Sequence, residues 1–121
     1  MRTVFTEGSD FEAMAGYSRA VRIGPHVAVS ATAARAGGDA HAQATEALQR
    51  ALAAALELGA RPEDVLRTRL LLAPGCDWEL VITAHREVFE GIAPANTTYY
   101  VGGFIPEGVL VEVELDAIVS S

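Results

Sequence analysis

Val109-Leu110-Val111-Glu112-Val113-Glu114-Leu115-Asp116-Ala117-Ile118-Val119 is the stretch that decides how this chain folds. Apolar and acidic residues alternate with a period of two, the pattern of a strand with one buried face. Val111, Val113 and Leu115 point one way; Glu112, Glu114 and Asp116 point the other. Three carboxylates along one strand face repel one another. That face must therefore meet solvent, a cationic partner or a polar cleft.

Upstream of this strand, Pro106 to Gly108 makes a turn. Thr97 to Phe104 reads as a strand rich in β-branched and aromatic residues, bent at its end by Gly102-Gly103. Asp77 to Phe89 reads as a helix. Its acidic start suits the helix dipole, and Trp78, Val81, Ile82, His85, Val88 and Phe89 form a broad apolar face. Leu66 to Ala73, with its run of leucines, is a central strand covered on both faces. Ala40 to Leu58 is the clearest helix, with Ala44, Leu48, Ala51, Leu52, Ala55 and Leu58 on one stripe and Gly59 as its C-cap. Ala20 to Ile23 and His26 to Ala31 form a hairpin about Gly24-Pro25. Thr3 to Thr6 makes a short strand, and Phe11 to Tyr17 is irregular or weakly helical.

These elements predict an α+β fold, with a mixed sheet and two main helices packed on one face, in one domain over residues 1–121. Several strands lack clean polar alternation, so the other face also needs cover. A chain of 121 residues has no third layer to provide it, and subunit association is the natural answer.

Composition narrows the partners. Asp and Glu outnumber Lys and Arg by 16 to 9, for a formal charge of -7. The chain has no lysine, so neither nucleic acid nor an anionic membrane is an expected partner. A single cysteine, Cys76, excludes an internal disulfide. No signal peptide or membrane span is expected, which gives a cytoplasmic reading. His26, His41 and His85 are scattered without metal-ligand spacing, so no metal or cofactor is expected.

Gly16-Tyr17-Ser18-Arg19-Ala20-Val21, His26-Val27-Ala28-Val29-Ser30-Ala31, Pro94-Ala95-Asn96-Thr97-Thr98 and Val109 to Glu114 carry a resemblance that covers nearly the whole chain. In order and spacing they resemble the reactive intermediate deaminase family (RidA, YjgF/YER057c/UK114, endoribonuclease L-PSP). The resemblance implies a chorismate-mutase-like fold. It also implies a homotrimer with a central barrel-like core, and small-molecule clefts between subunits. Active members hydrolyse imines and enamines to a 2-keto acid and ammonia, and the arginine of their P-A-R motif holds the substrate carboxylate. Here that motif reads Pro94-Ala95-Asn96. A neutral amide cannot supply the same bidentate ion pair. Ala31 stands where the family has glycine, and Thr98 where many members have cysteine.

On this resemblance Glu112 is the residue that activates water, and Tyr17 borders the substrate. Glu112 and Asn96 are the expected catalytic pair: a carboxylate to take a proton from water, and an amide to hold the electrophile. Tyr17, Arg19, Ser30, Arg69 and Thr98 are the expected substrate contacts. Arg19 and Arg22 are the candidates to replace the lost anchor, and Arg69 is a candidate to pair with Glu112 or bind an anion. Two functions follow. One is an imine or enamine hydrolase with altered substrate preference; the other is a non-deaminating trimer that binds a metabolite or serves a pathway as an accessory. Nothing in the sequence forms a metal-dependent nuclease site.

Overall fold

The computed structural model describes residues 1–120. Chain order runs β1 (Arg2–Phe5), α1 (Asp10–Ala15), β2 (Ala20–Ile23), β3 (His26–Ala33), α2 (Ala40–Glu57), a 3-10 turn (Pro62–Asp64), β4 (Val65–Leu72), α3 (Trp78–Val88), β5 (Ala95–Tyr100) and β6 (Val111–Ile118). The strands form one sheet in the order β1-β2-β3-β6-β4-β5. Every pairing is antiparallel except β4–β5, which is parallel and bridged by α3. The fold is thus α+β with a mixed sheet.

Strand β6 sits between β3 and β4 and behaves as its alternation requires. Val111, Val113, Leu115 and Ala117 are fully buried, while Glu112, Glu114 and Asp116 are half-buried on the other face. The buried row packs on α2, whose alanines Ala44, Ala47, Ala51 and Ala55 let the helix approach the sheet closely. Leu48 of α2 and Val81 and Ala84 of α3 complete this core. Asp39 caps α2 through the Ala42 N–H, and Asp77 caps α3 through that of Glu79. At the other end of α2, Arg22 donates to the Leu58 carbonyl at 2.8 Å and ties the β2–β3 hairpin to the helix.

Several expectations need correction. A chorismate-mutase-like fold with a barrel-like core is not what forms. The sheet is open: β1 pairs only with β2 and β5 only with β4, at opposite edges. Closing a barrel needs those two edges to meet. β5 ends at Tyr100, not Phe104, because the chain leaves the sheet before Gly102-Gly103. Trp78 and Ile82, expected in the core, are exposed, since α3 buries the stripe through Val81 and Ala84 instead. Residues 10–15 form a capped helix: Ser9 accepts from the Glu12 N–H, and the Glu12 carboxylate accepts from the Ser9 N–H and hydroxyl.

Candidate functional site

The pairing of β3 with β6 contains an irregularity. Val29 faces Leu115 and Thr32 faces Val113, so three steps on β3 span two on β6. The extra residue makes a bulge at Ser30–Ala31. Arg19 supports it from beneath, with Nη2 donating to the Ala31 carbonyl at 3.0 Å, to the Ser30 carbonyl at 3.4 Å and to the Thr32 hydroxyl. Ser30 returns the contact, its N–H donating to the Arg19 carbonyl and its hydroxyl to that of Ser18 at 2.7 Å. Arg19 is only 8% exposed. Its Nε lies 3.5 Å from Glu7, and its guanidinium 5.9 Å from the centre of the Tyr17 ring.

Above the bulge opens a cleft of about 380 Å³. Phe11 and Tyr17 form one wall, the Gly103–Pro106 segment another, and Ser30, Ala31 and Glu112 the floor. α1 holds the first wall in place. The Glu12 carboxylate also accepts from the Glu7 N–H, and these bonds, led by the Ser9 hydroxyl, lower its pKa from the ordinary carboxylate value. Gln43 anchors the far end of the second wall. It is buried in α2, accepts from the Leu110 N–H at 2.9 Å and donates to the Gly108 carbonyl at 3.2 Å.

The three carboxylates of β6 divide. Arg69 on β4 lies 3.2 Å from Asp116 and 3.6 Å from Glu114. It therefore pairs with those two and does not reach Glu112, whose β4 neighbour is Leu71. Among the described residues Glu112 has no ion pair. Burial raises its pKa; the Arg19 charge pulls it down and the Glu114 charge pushes it up. A half-buried carboxylate that resists ionisation, at the floor of a cleft, is equipped to exchange protons.

Tyr17, Ser30 and Glu112 thus come together, with Arg19 behind them. Asn96 and Thr98 do not join them within one chain. Asn96 stands opposite Thr68 on β5, on the helix-bearing side of the sheet. Thr98 lines a separate groove with Leu72, Trp78, Ile82, Tyr99 and Tyr100. Arg22 is occupied with Gly24 and Leu58. Cys76 is buried, and its thiol pKa is pushed up by burial and by the Asp77 charge, which suits a structural residue better than a nucleophile. Among the described residues no three His, Cys, Asp or Glu side chains cluster to hold a metal, and no helix is long and apolar enough to cross a membrane.

Sequence reading missed Phe11, Phe104, Ile105 and Pro106 as cleft residues. A signal for the first was present: Ser9-Asp10-Phe11-Glu12 is a capping box, which starts a helix and orients Phe11. For the others the only cue was an apolar segment held between glycines.

An open mixed sheet with helices on one face, and a largely apolar cleft with a carboxylate at its floor beside a bulge, define a small α+β protein with one polar group presented in an apolar pocket. The Endoribonuclease L-PSP family profile matches residues 7–119. An uncharacterized protein of Streptomyces coelicolor, SCO2049, is 40% identical over 116 residues, covering 91% of this chain and 87% of its own length. The crystal structure of Rv2704 from Mycobacterium tuberculosis, a YjgF/YER057c/UK114 family member, is similar with a TM-score of 0.93 and 42% identity, over 98% of this chain and all of that one (100%). NMB1025 from Neisseria meningitidis, a YjgF family member 19% identical, shares the fold with a TM-score of 0.86 over 100% of this chain and 97% of its own. The chain belongs to the YjgF/YER057c/UK114 family, also called RidA or endoribonuclease L-PSP.

Proposed function

We propose that this chain is the subunit of a homotrimeric enzyme that hydrolyses small imines or enamines in clefts shared between copies. The observation that carries the reading is Glu112: half-buried, without an ion pair among the described residues, its affinity for a proton raised by burial, and facing a cleft with Tyr17 and Ser30. In its ionised form Glu112 takes a proton from the water that attacks the C=N carbon of the protonated imine, giving the neutral carbinolamine. Glu112 then returns that proton to the amine nitrogen, the C–N bond breaks, and the hydroxyl proton passes to the departing ammonia, leaving a carbonyl compound and ammonium. Two features support assembly. Tyr17, Ser30 and Glu112 occupy one part of the chain and Asn96 and Thr98 another, so a neighbouring copy is the means of joining them. The helix-free sheet face also exposes Leu66 and Ile23, at 55% and 51%, beside a groove lined by Val21, His26 and Ile118.

The test generates 2-iminopropionate or 2-iminobutyrate from an amino acid and follows its disappearance. Acceleration over the uncatalysed rate that is lost in an assembled Glu112→Ala variant supports the reading; decay at the background rate rejects it. A second reading, a trimer that binds a metabolite without deaminating it, draws on Asn96. Its amide is engaged with Thr68 and Thr98, where an anion-binding arginine would otherwise be expected. Asn96→Arg separates the two: a large gain in hydrolysis identifies carboxylate anchoring as the missing function, and no gain favours binding alone.

A further inference from the structure

A chain of hydrogen bonds runs from the helix layer to the β5 edge. Thr68, completely buried on β4, has its hydroxyl 2.7 Å from His85 Nε2 on α3. Asn96 Nδ2 donates to that same hydroxyl at 3.0 Å and approaches the Thr68 carbonyl at 3.5 Å. Asn96 Oδ1 in turn accepts from the Thr98 hydroxyl at 2.7 Å.

The proton inventory constrains the direction of the chain. A threonine hydroxyl has one proton to donate and two lone pairs, of which Asn96 takes one. A neutral imidazole with its proton on Nδ1 accepts the hydroxyl proton at Nε2, and this is the tautomer the inference requires. Burial favours this neutral form by lowering the His85 pKa, and the ring packs on Phe89 with centroids 4.8 Å apart. The Thr68 carbonyl adds a second reason for the amide nitrogen to turn inward. Both donor sites of Asn96 therefore aim at Thr68. What remains for a ligand at this exposed side chain is its carbonyl oxygen, which has two lone pairs and one partner, Thr98.

We infer that Asn96 is a specificity-determining residue presented as an acceptor, with Thr68 and His85 as the positioning residues that hold it so, and that its ligand offers an N–H there, as an imine or carboxamide does, and not a carboxylate. The inference rests on Asn96 reaching ligand in the assembled protein. A carboxylate would meet a carbonyl oxygen, with no donor free to answer it.

Binding of an unreactive pair tests this without turnover. Pyruvamide and pyruvate share one skeleton and differ in carboxamide against carboxylate. NMR titration of the full-length protein, with side-chain amide labels, is expected to show pyruvamide moving the Asn96 resonances with about tenfold preference over pyruvate. Thr68→Val is expected to remove that preference and Thr68→Ser to keep it, while the ¹⁵N shift of His85 reports an unprotonated Nε2. Equal response to both ligands, no response of Asn96 to either, a protonated Nε2 in the neutral ring, or a preference unchanged in Thr68→Val would each overturn the inference. Failure of imine hydrolysis with the Asn96 preference intact would instead count against the proposed reaction alone.

Discussion

Glu112 and Arg19 show how one residue's position sets another's chemistry. Arg19 is tied to the Ser30–Ala31 bulge by geometry, and its charge opposes the burial that raises the Glu112 pKa. The consequence for pH has a definite sign. The folded-state pKa of Glu112 is raised, so the folded protein holds that proton more tightly than the unfolded chain does. Its contribution to stability is greatest in acid and declines as pH rises through the raised value. Glu112→Gln removes this decline. Its melting temperature is expected to exceed the parent's at neutral pH and to converge with it in acid, measured by calorimetry. The same substitution is expected to lower kcat for imine hydrolysis by about a hundredfold or more, and the acid limb of the parent's rate profile should lie above the ordinary carboxylate range. A neutral-pH melting temperature below the parent's would show that the carboxylate is held by contacts that favour its charge.

Among elements, the loop between β5 and β6 depends on a helix far away in sequence. Gln43 joins α2 to Gly108 and Leu110 at the base of the segment that walls the cleft. Gln43→Ala leaves the N–H of half-buried Leu110 without its acceptor. It is expected to cost about 1–3 kcal/mol in urea unfolding and to raise hydrogen exchange selectively at residues 103–110. Destabilisation with the loop's exchange unchanged would mean that Gln43 supports only the helix. The sequence was legible where a period was uninterrupted. β6, α2 and the β2–β3 hairpin follow their patterns because one face of each is buried. It was less legible where function depends on interruption. The bulge at Ser30–Ala31, the internal use of Arg19, and the pairing of Arg69 with Asp116 and Glu114 all depend on strand register, which no local window contains. Asn96 is similar: its residue type was plain, but the placement of its amide against Thr68 depends on the parallel pairing of β4 and β5.

For the whole molecule, helices cover one side of the sheet, and the other side presents Ile23, Leu66 and Ile118 to its surroundings. Leu66 is the extra residue of a second irregularity, where Val65 faces Ala117 and Arg67 faces Asp116. If copies associate through this face, Leu66→Glu places a charge in the contact. Sedimentation velocity is then expected to shift the variant toward the monomer while its circular dichroism stays native. A trimer unaffected by the change would put the interface elsewhere.

The strand order also bears on synthesis. Among the described strands β6 comes last in sequence, yet within the sheet it alone joins β1-β2-β3 to β4-β5. While the ribosome is still making residues 111–118, the two groups of strands have no shared partner, and the apolar surfaces meant for β6 are uncovered. The nascent protein must hold both in waiting until one late segment threads between them, so its folding is expected to be slow and its exposure to misassembly concentrated before residues 111–118 emerge.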